Sequence, residues 1–340
     1  QILKAADTLI RNNRQRRHKP LFTENPDGDR IKVIQHTDEE AEASWVVDWF
    51  RDQNEAGVSW SNMVVFYRMN MLSRVMEDAC MRAGIPYQIA RGTAFYDRAE
   101  VRDAIGYLRL LSNPDDGIAL GRVINQPARG IGKTTIEHLE AYAAANGITF
   151  WQACEKASLV PALTPRAQSA VLKFVNMIDG WRKKLTDAHE TLTYVPGVRD
   201  LTEMVIRDSG LEAHYRKVDP EEEKVGNLYE LVSAAQRFDD EYGEEGATLG
   251  QRLFDYLESV ALVSDVDAVE SDAGAVTLMT LHAAKGLEFP IVAMIGLEEG
   301  LLPHSRSMDT PHEMEEERRL CFVGITRAEQ KLAMNYAKYR

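Results

Sequence analysis

Residues 276–296 read VTLMTLHAAKGLEFPIVAMIG, two apolar runs separated by a polar loop. Runs this short and apolar, bounded by glycine and polar turns, are strands buried on both faces, which calls for a parallel sheet covered by helices. The carboxyl end of such a strand is where α/β proteins place ligands. His282, Lys285 and Glu288 all fall in this loop, so one connection offers an imidazole, an ammonium and a carboxylate. By chemistry alone this is a site for a charged ligand. Residues 315–328, EEERRLCFVGITRA, read as a charged helix start leading to an exposed Thr326–Arg327 pair.

The first hundred residues carry the same alternation. Residues 1–20 read as a helix with a basic tail ending at Pro20. Ile31–His36 alternates as a strand, and Asp38–Gln53 has helical spacing with Trp45 and Trp49 four apart. Met63–Tyr67 is a short apolar run, Ser73–Ala83 is helical up to Gly84 and Pro86, and Tyr87–Ala90 is a further strand. Strands alternating with helices predict a parallel α/β sheet. From about Pro114 to Ala273 helical periodicity takes over, at Ile136–Asn146, Arg166–Leu185, Asp200–Arg207, Lys224–Phe238 and Leu249–Val260. Gly, Pro and Asp cluster at both seams, residues 113–117 and 271–274. The chain therefore reads as a discontinuous α/β domain, 1–114 and 273–340, interrupted by an all-helical domain, 115–272.

Composition sets outer limits. With 340 residues, two domains with sizeable cores are expected. No apolar run reaches 18 residues, so no membrane span is expected. Cys80, Cys154 and Cys321 are far apart, odd in number and lack CxxC spacing, which argues for a reducing cytosol and against disulfides or zinc. The net charge of −13 disfavours nucleic-acid binding overall, yet it is unevenly spread. Residues 219–245 hold ten acidic residues against Lys224 and Arg237, whereas residues 11–19 hold five basic ones. A global charge sums faces that point in different directions and does not forbid a local basic groove. The acidic runs 221–223 and 239–241 read as solvated helix ends, and Trp45/Trp49 and Phe95/Tyr96 as core packing rather than base-stacking platforms.

Gly130-Ile131-Gly132-Lys133-Thr134 forms a second chemical feature. Glycines let backbone approach a phosphate closely, and Thr134 or Thr135 is placed to cap a helix starting there. Free amides and the helix dipole then favour an anion, with Lys133 adding a point charge. The bland alternative is an ordinary glycine turn before a helix. A nucleotide P-loop is excluded: G-x-x-x-x-G-K-[ST] would require glycine at Pro127, which lacks an amide and has a fixed φ.

These stretches carry a family resemblance. TLHAAKGLEFP, eleven contiguous positions at 280–290, and VGITRAEQKL at 323–332 resemble motifs V and VI of the superfamily 1 DNA helicases, the UvrD, PcrA and Rep group. Residues 67–109 resemble motif IVa, ARGIGKTT at 128–135 resembles the GIG loop of the accessory domain, and the opening resembles the helix after motif IV. The match is weakest at about 150–270. GTAFYDRAE departs from the commoner GGxxFFxRxE: Arg91 replaces a glycine and Ala94 stands where a basic residue is frequent, while Arg98 and Glu100 are retained and could form an ion pair.

The resemblance implies a RecA-like second motor domain (2A) at 1–114 and 273–340, P-loop NTPase in type but without the P-loop, with an inserted accessory domain (2B) at 115–272. It implies an ATP-dependent 3′-to-5′ DNA helicase in repair or replication. Arg327 takes the place of the catalytic motif VI arginine that stabilises charge on the transferring γ-phosphoryl. Guanidinium suits that task because it stays charged and binds phosphate bidentately. Glu288 matches the glutamate that accepts from the nucleotide sugar, with Lys285 and Gly286 in the same nucleotide-binding set; Lys285 could equally pair with a carboxylate across the cleft. Thr280 and His282 take the place of contacts to single-stranded DNA, and Gly130, Gly132, Lys133 and Thr134 of contacts to the duplex. Arg68, in a polar strand-to-helix turn, falls among the DNA contacts.

ATP with Mg²⁺ is the implied cofactor, and the metal ligands are expected in an N-terminal half, because the chain has neither a Walker A motif nor an acidic DExx box. With Gln1 as its first residue, the chain reads as the C-terminal half of such a protein, not expected to hydrolyse ATP alone. Implied partners are single-stranded DNA, the single/double-strand junction, the N-terminal half in cis, and repair or polymerase proteins, in the cytoplasm and on the nucleoid. A helicase-nuclease subunit and a non-catalytic DNA-binding or partner-docking module remain as alternatives.

Overall fold

The computed structural model describes the chain except residues 15–21, 24–27, 91–92, 188–195, 220–221, 243–246 and 267–273, with backbone alone at 186–187 and 262–266. Two compact units form, Gln1–Phe95 with Val266–Arg340, and Tyr96–Asp265.

In the first unit, helix α1 (Ile2–Ile10) precedes strand β1 (Lys32–His36), then α2 (Glu39–Glu55), β2 (Met63–Tyr67), α3 (Ser73–Arg82) and β3 (Tyr87–Ile89). The chain returns as β4 (Val276–Thr280), β5 (Phe289–Met294), α13 (Pro311–Ile325) and β6 (Ala328–Ala337). The strands form one six-stranded sheet in the order β1-β6-β5-β2-β4-β3, with every pairing parallel. The expected parallel α/β sheet is present.

The apolar runs explain the layering. All five residues of β2 are buried, and they alternate between two cores as strand geometry requires. Met63, Val65 and Tyr67 join the core packed by α2 and α3, through Phe50 and Met76. Val64 and Phe66 join the opposite core with Ala6 of α1 and Ile325 of α13. Each such apolar side chain contributes roughly 1.5–3 kcal/mol on full burial. Strand β6 extends a stretch that begins Ala-Glu-Gln-Lys and has no strand signal of its own; parallel pairing to both β1 and β5 makes it one. Helix α2 is closed at its start by Asp38, whose side chain accepts from the Ala41 amide at 2.8 Å. That bond holds the Asp38 carboxyl below its ordinary pKa.

The second unit contains α4 (Ala99–Ser112), α5 (Gly117–Val123), α6 (Lys133–Asn146), α7 (Phe150–Glu155), α8 (Pro165–Asp187), α9 (Val198–Asp208), α10 (Leu211–Val218), α11 (Glu223–Tyr242) and α12 (Leu249–Val266). The units divide at Phe95/Tyr96 and Asp265/Val266, not at the seams 114/115 and 272/273 read from composition. The first seam moves because α4 packs on α5, α8, α9 and α11. The Asn113–Gly117 cluster is a connection between two helices of one unit, where Asp116 caps α5 by accepting from Ala119. Most of the second seam lies outside the described residues. No helix among the described residues is long and apolar enough to cross a membrane.

Candidate functional site

The loop after β4 begins as a continuation of the sheet: Leu281 donates its amide to the Tyr67 carbonyl at 2.8 Å. It then turns tightly, with Ala283 and Ala284 donating to the carbonyls of Thr280 and Leu281. Leu281 and Ala284 are buried in the core facing α13, which leaves His282 and Lys285 exposed and Thr280 half-buried. Gly286 adopts φ +85° with open space where a Cβ would stand, so conformation and not crowding requires glycine there.

Parallel topology changes the reading of this loop as one site. Strands β4 and β5 flank β2 and run in the same direction, so residues 281–288 travel from the carboxyl end of β4 to the amino end of β5. Tyr67 is level with Thr280 and Phe66 with Met294, so Thr280 and Glu288 are separated along the sheet by the length of β5. The imidazole and the carboxylate therefore serve opposite edges.

At the carboxyl edge, Arg68 follows β2 as Thr280 and His282 complete β4. Its guanidinium is committed: Nε and Nη2 donate to Glu317 of α13 at 3.0–3.2 Å. Glu317 is buried and also accepts the His304 amide at 3.1 Å, so one carboxylate ties β2, the loop after β5 and α13 together. Nothing in the run EEERR distinguishes Glu317 from its neighbours; only burial does. Further along the motif IVa turn, polar side chains bond to one another and to backbone. Ser73 donates to Glu77, Glu77 accepts the Phe95 amide at 3.0 Å, and Arg74 is buried beside Asp78 at 2.5 Å. Trp45 and Trp49 stack on each other at 5.7 Å beneath Lys32. In the helical unit, the Asn227 amide bridges Arg98 and Glu100, accepting from the first at 2.8 Å and donating to the second at 2.6 Å.

At the amino edge, Arg327 sits between the end of α13 and the start of β6. Its carbonyl accepts the Phe289 amide at 2.9 Å, which fixes the two strand starts against each other. The guanidinium donates to the carbonyls of Val323 (3.2 Å) and Leu287 (3.1 Å) and to the Thr326 hydroxyl (3.2 Å). Glu288 lies 3.9 Å away, with its side chain 60% exposed against 19% for Arg327. The arginine is thus better covered than its sequence suggests, and α13 begins at Pro311, upstream of the charged run. A hollow of about 840 Å³ opens beside Glu288 and Thr326, bordered also by Ile2, Phe22, Asp29 and Lys331.

The second feature lies in the helical unit. Asn125 accepts the amides of Arg129 (2.7 Å) and Ile131 (3.1 Å) on one side-chain oxygen. Arg129 donates to the carbonyls of Val123, Pro127 and Ser209 at 2.7–3.3 Å and lies 5.6 Å from the ring centres of both Tyr107 and Phe174. Ile131 is fully buried, so the loop is pinned from below while Gly130, Gly132, Lys133 and Thr134 stay exposed. Gly130 takes φ +80°. Neither Thr134 nor Thr135 caps the helix: Gly132 is the cap residue, and no side chain closes the start of α6. The reason is register, since α6 begins at Lys133 and both threonines are already inside its first turn. Lys133 is 91% exposed and stands 3.7 Å from Glu137. Asn125 and Arg129 were not evident from the sequence; the adjacency of Arg129 to the glycine pair was the one available signal.

Comparison with known proteins identifies the family. The UvrD-like helicase C-terminal domain family matches residues 1–339. The chain is 39% identical to the ATP-dependent DNA helicase PcrA of Bacillus subtilis (strain 168), over all of this chain and 45% of that protein. It is 39% identical to DNA helicase II of Escherichia coli (strain K12), over all of this chain and 46% of that protein. It is also 40% identical to the ATP-dependent DNA helicase UvrD1 of Mycobacterium bovis, again over all of this chain and 45% of that protein. The chain thus spans just under half the length of these relatives. With a match along 339 residues and a fully parallel sheet bearing the paired Glu288 and Arg327, the chain belongs to the UvrD-like helicase C-terminal domain family.

Proposed function

We propose that this chain is the C-terminal part of an ATP-dependent DNA helicase that moves 3′ to 5′ along single-stranded DNA and unwinds duplex, in repair or replication. The observation that carries this reading is the Glu288–Arg327 pair at the amino edge of the sheet, beside an open hollow. The sheet unit acts as the second motor domain (2A) and the helical unit as the accessory domain (2B). ATP binds between this motor domain and an N-terminal half carrying the P-loop. Glu288 accepts from the sugar hydroxyl, and Lys285 and Gly286 border the nucleotide. Arg327 leaves its neutral carbonyl partners to stabilise charge on the γ-phosphoryl, a role worth roughly 10³–10⁵ in rate.

Mg²⁺ is assigned to the N-terminal half, together with the P-loop and the acidic ligand that hold it in such motors. The chain alone does not turn over ATP. At the opposite edge, Thr280 and His282 hydrogen-bond phosphates of the tracking strand without reading sequence. Arg68 offers them Nη1, the nitrogen outside its fork with Glu317. In the accessory domain, Gly130, Gly132, Lys133 and Thr134 meet duplex phosphates at the uncapped start of α6. The protein works in the cytoplasm, on the nucleoid, with the single/double-strand junction as substrate and with repair or polymerase proteins as partners.

The test is single-strand-stimulated ATP hydrolysis by the intact polypeptide carrying Arg327→Ala. Turnover is expected to fall about 10³-fold or more with ATP binding retained. Unchanged turnover would remove Arg327 from the mechanism and leave a DNA-binding module.

A further inference from the structure

Gly324, in the last turn of α13, has a role that conformational freedom does not explain, since it is an ordinary helical residue. A Cβ built there would lie 2.5 Å from Leu281 Cδ2 and 2.8 Å from Met294 Cε, distances that real Cβ atoms do not show. Glycine costs about 1 kcal/mol relative to alanine inside a helix. Its presence therefore marks a close approach, α13 lying directly on Leu281. Leu281 is 1% exposed and is flanked in sequence by Thr280 and His282. Its amide is bonded to Tyr67, so it is tied to the carboxyl edge of the sheet. On the other side of the contact, the Gly324 carbonyl accepts the Arg327 amide at 3.1 Å, and the preceding Val323 carbonyl accepts Arg327 Nε.

We infer that the Leu281–Gly324 contact is a positioning element that transmits occupancy of the strand-binding edge to Arg327 at the nucleotide edge. Two ends of the sheet, a strand length apart, are joined here by one side chain packed against one helical turn. A displacement of the β4 end when it takes up a strand moves Leu281. Leu281 meets α13 at Gly324 with no Cβ between them, so the motion is passed to α13 and to its Gly324 and Val323 carbonyls, which hold the Arg327 amide and Nε. Close-packed interiors pass on such displacements because they have no free volume in which to lose them. The inference rests on the assignment of the two edges to DNA and ATP.

The experiment compares wild type, Gly324→Ala, Leu281→Ala and the double variant in the intact polypeptide. It measures ATP turnover with and without saturating single-stranded DNA, KM for ATP, and DNA affinity. Gly324→Ala is expected to reduce the stimulation by DNA roughly tenfold, inside the usual range of coupling between sites. DNA-free turnover, KM and DNA affinity should each stay within about twofold, the size of effect a contact outside both sites leaves. Leu281→Ala opens a gap at the same contact and also lowers stimulation. Placing the alanine methyl of Gly324→Ala into that gap returns part of it, so the double variant exceeds either single one, the non-additivity of a direct contact. Unchanged stimulation in both single variants overturns the inference, as does a loss shared equally by DNA-free turnover or one that the double variant does not relieve. Should Gly324→Ala fail to fold, Leu281→Ala decides alone on the same criterion. Arg327→Ala assayed alongside separates the two levels: if it leaves turnover unchanged the assignment of the edges fails, and if only the Gly324 and Leu281 variants are silent the coupling fails.

Discussion

The two regions proposed to touch nucleic acid are built on different length scales. The loop at 125–135 is hydrogen-bonded largely within itself: Asn125 gathers two amides and Arg129 returns to Val123 and Pro127, with Ser209 and the Tyr107 and Phe174 rings as its distant partners. The carboxyl edge of the sheet is instead assembled from residues far apart in the chain, with Arg68 held by Glu317, 249 positions away. A locally wired loop can present an anion site wherever its domain is carried. An edge wired through the sheet exists only once the whole parallel sheet has formed. The difference suits the gripping role proposed for one unit and the motor role proposed for the other.

Substitutions can break this contrast, and the largest effect is expected at Glu317. Removing a buried carboxylate strands Arg68 and the His304 amide, a loss of about 3–5 kcal/mol for breaking a buried pair. Glu317→Ala should lower the melting temperature of the sheet unit by about 2–4 °C per kcal/mol lost. A shift under a few degrees would show that the Arg68 fork is dispensable. Asn125→Ala should be milder, leaving two loop amides without their acceptor at about 1–3 kcal/mol. Hydrogen exchange should quicken at Arg129 and Ile131 while the sheet unit is unaffected; quickening spread through both units would contradict local wiring.

Lys133→Ala touches no buried partner and should change stability by less than about 0.5 kcal/mol. It should weaken duplex binding uniformly across sequences and reduce the dependence of log affinity on log salt by about one. A destabilised protein with an unchanged salt slope would return this lysine to the solvated surface.

Much of the architecture was legible beforehand, and for a local reason. Strands β2, β4 and β5 are apolar runs of a length that only a doubly covered sheet accommodates, and α2, α6, α8, α9, α11 and α12 follow their periodicity closely. The unread elements owe their burial to distant partners. Strand β6 opens with polar residues, and α4 looked like an extension of the preceding motif until its packing on α9 and α11 placed it in the helical unit.

The site shows the same division. Thr280, His282, Glu288 and Arg327 could be singled out because their residue types and spacing match a known motif, so sequence determined which groups are available. Tertiary structure decided what they can do together. A parallel sheet cannot place the end of β4 and the start of β5 on one edge, and that sends His282 and Glu288 apart. The same topology brings Glu288 to Arg327 and hides Glu317 beneath Arg68. Residue identity is written in the chain one position at a time, but adjacency across a sheet is set by pairings between segments hundreds of residues apart.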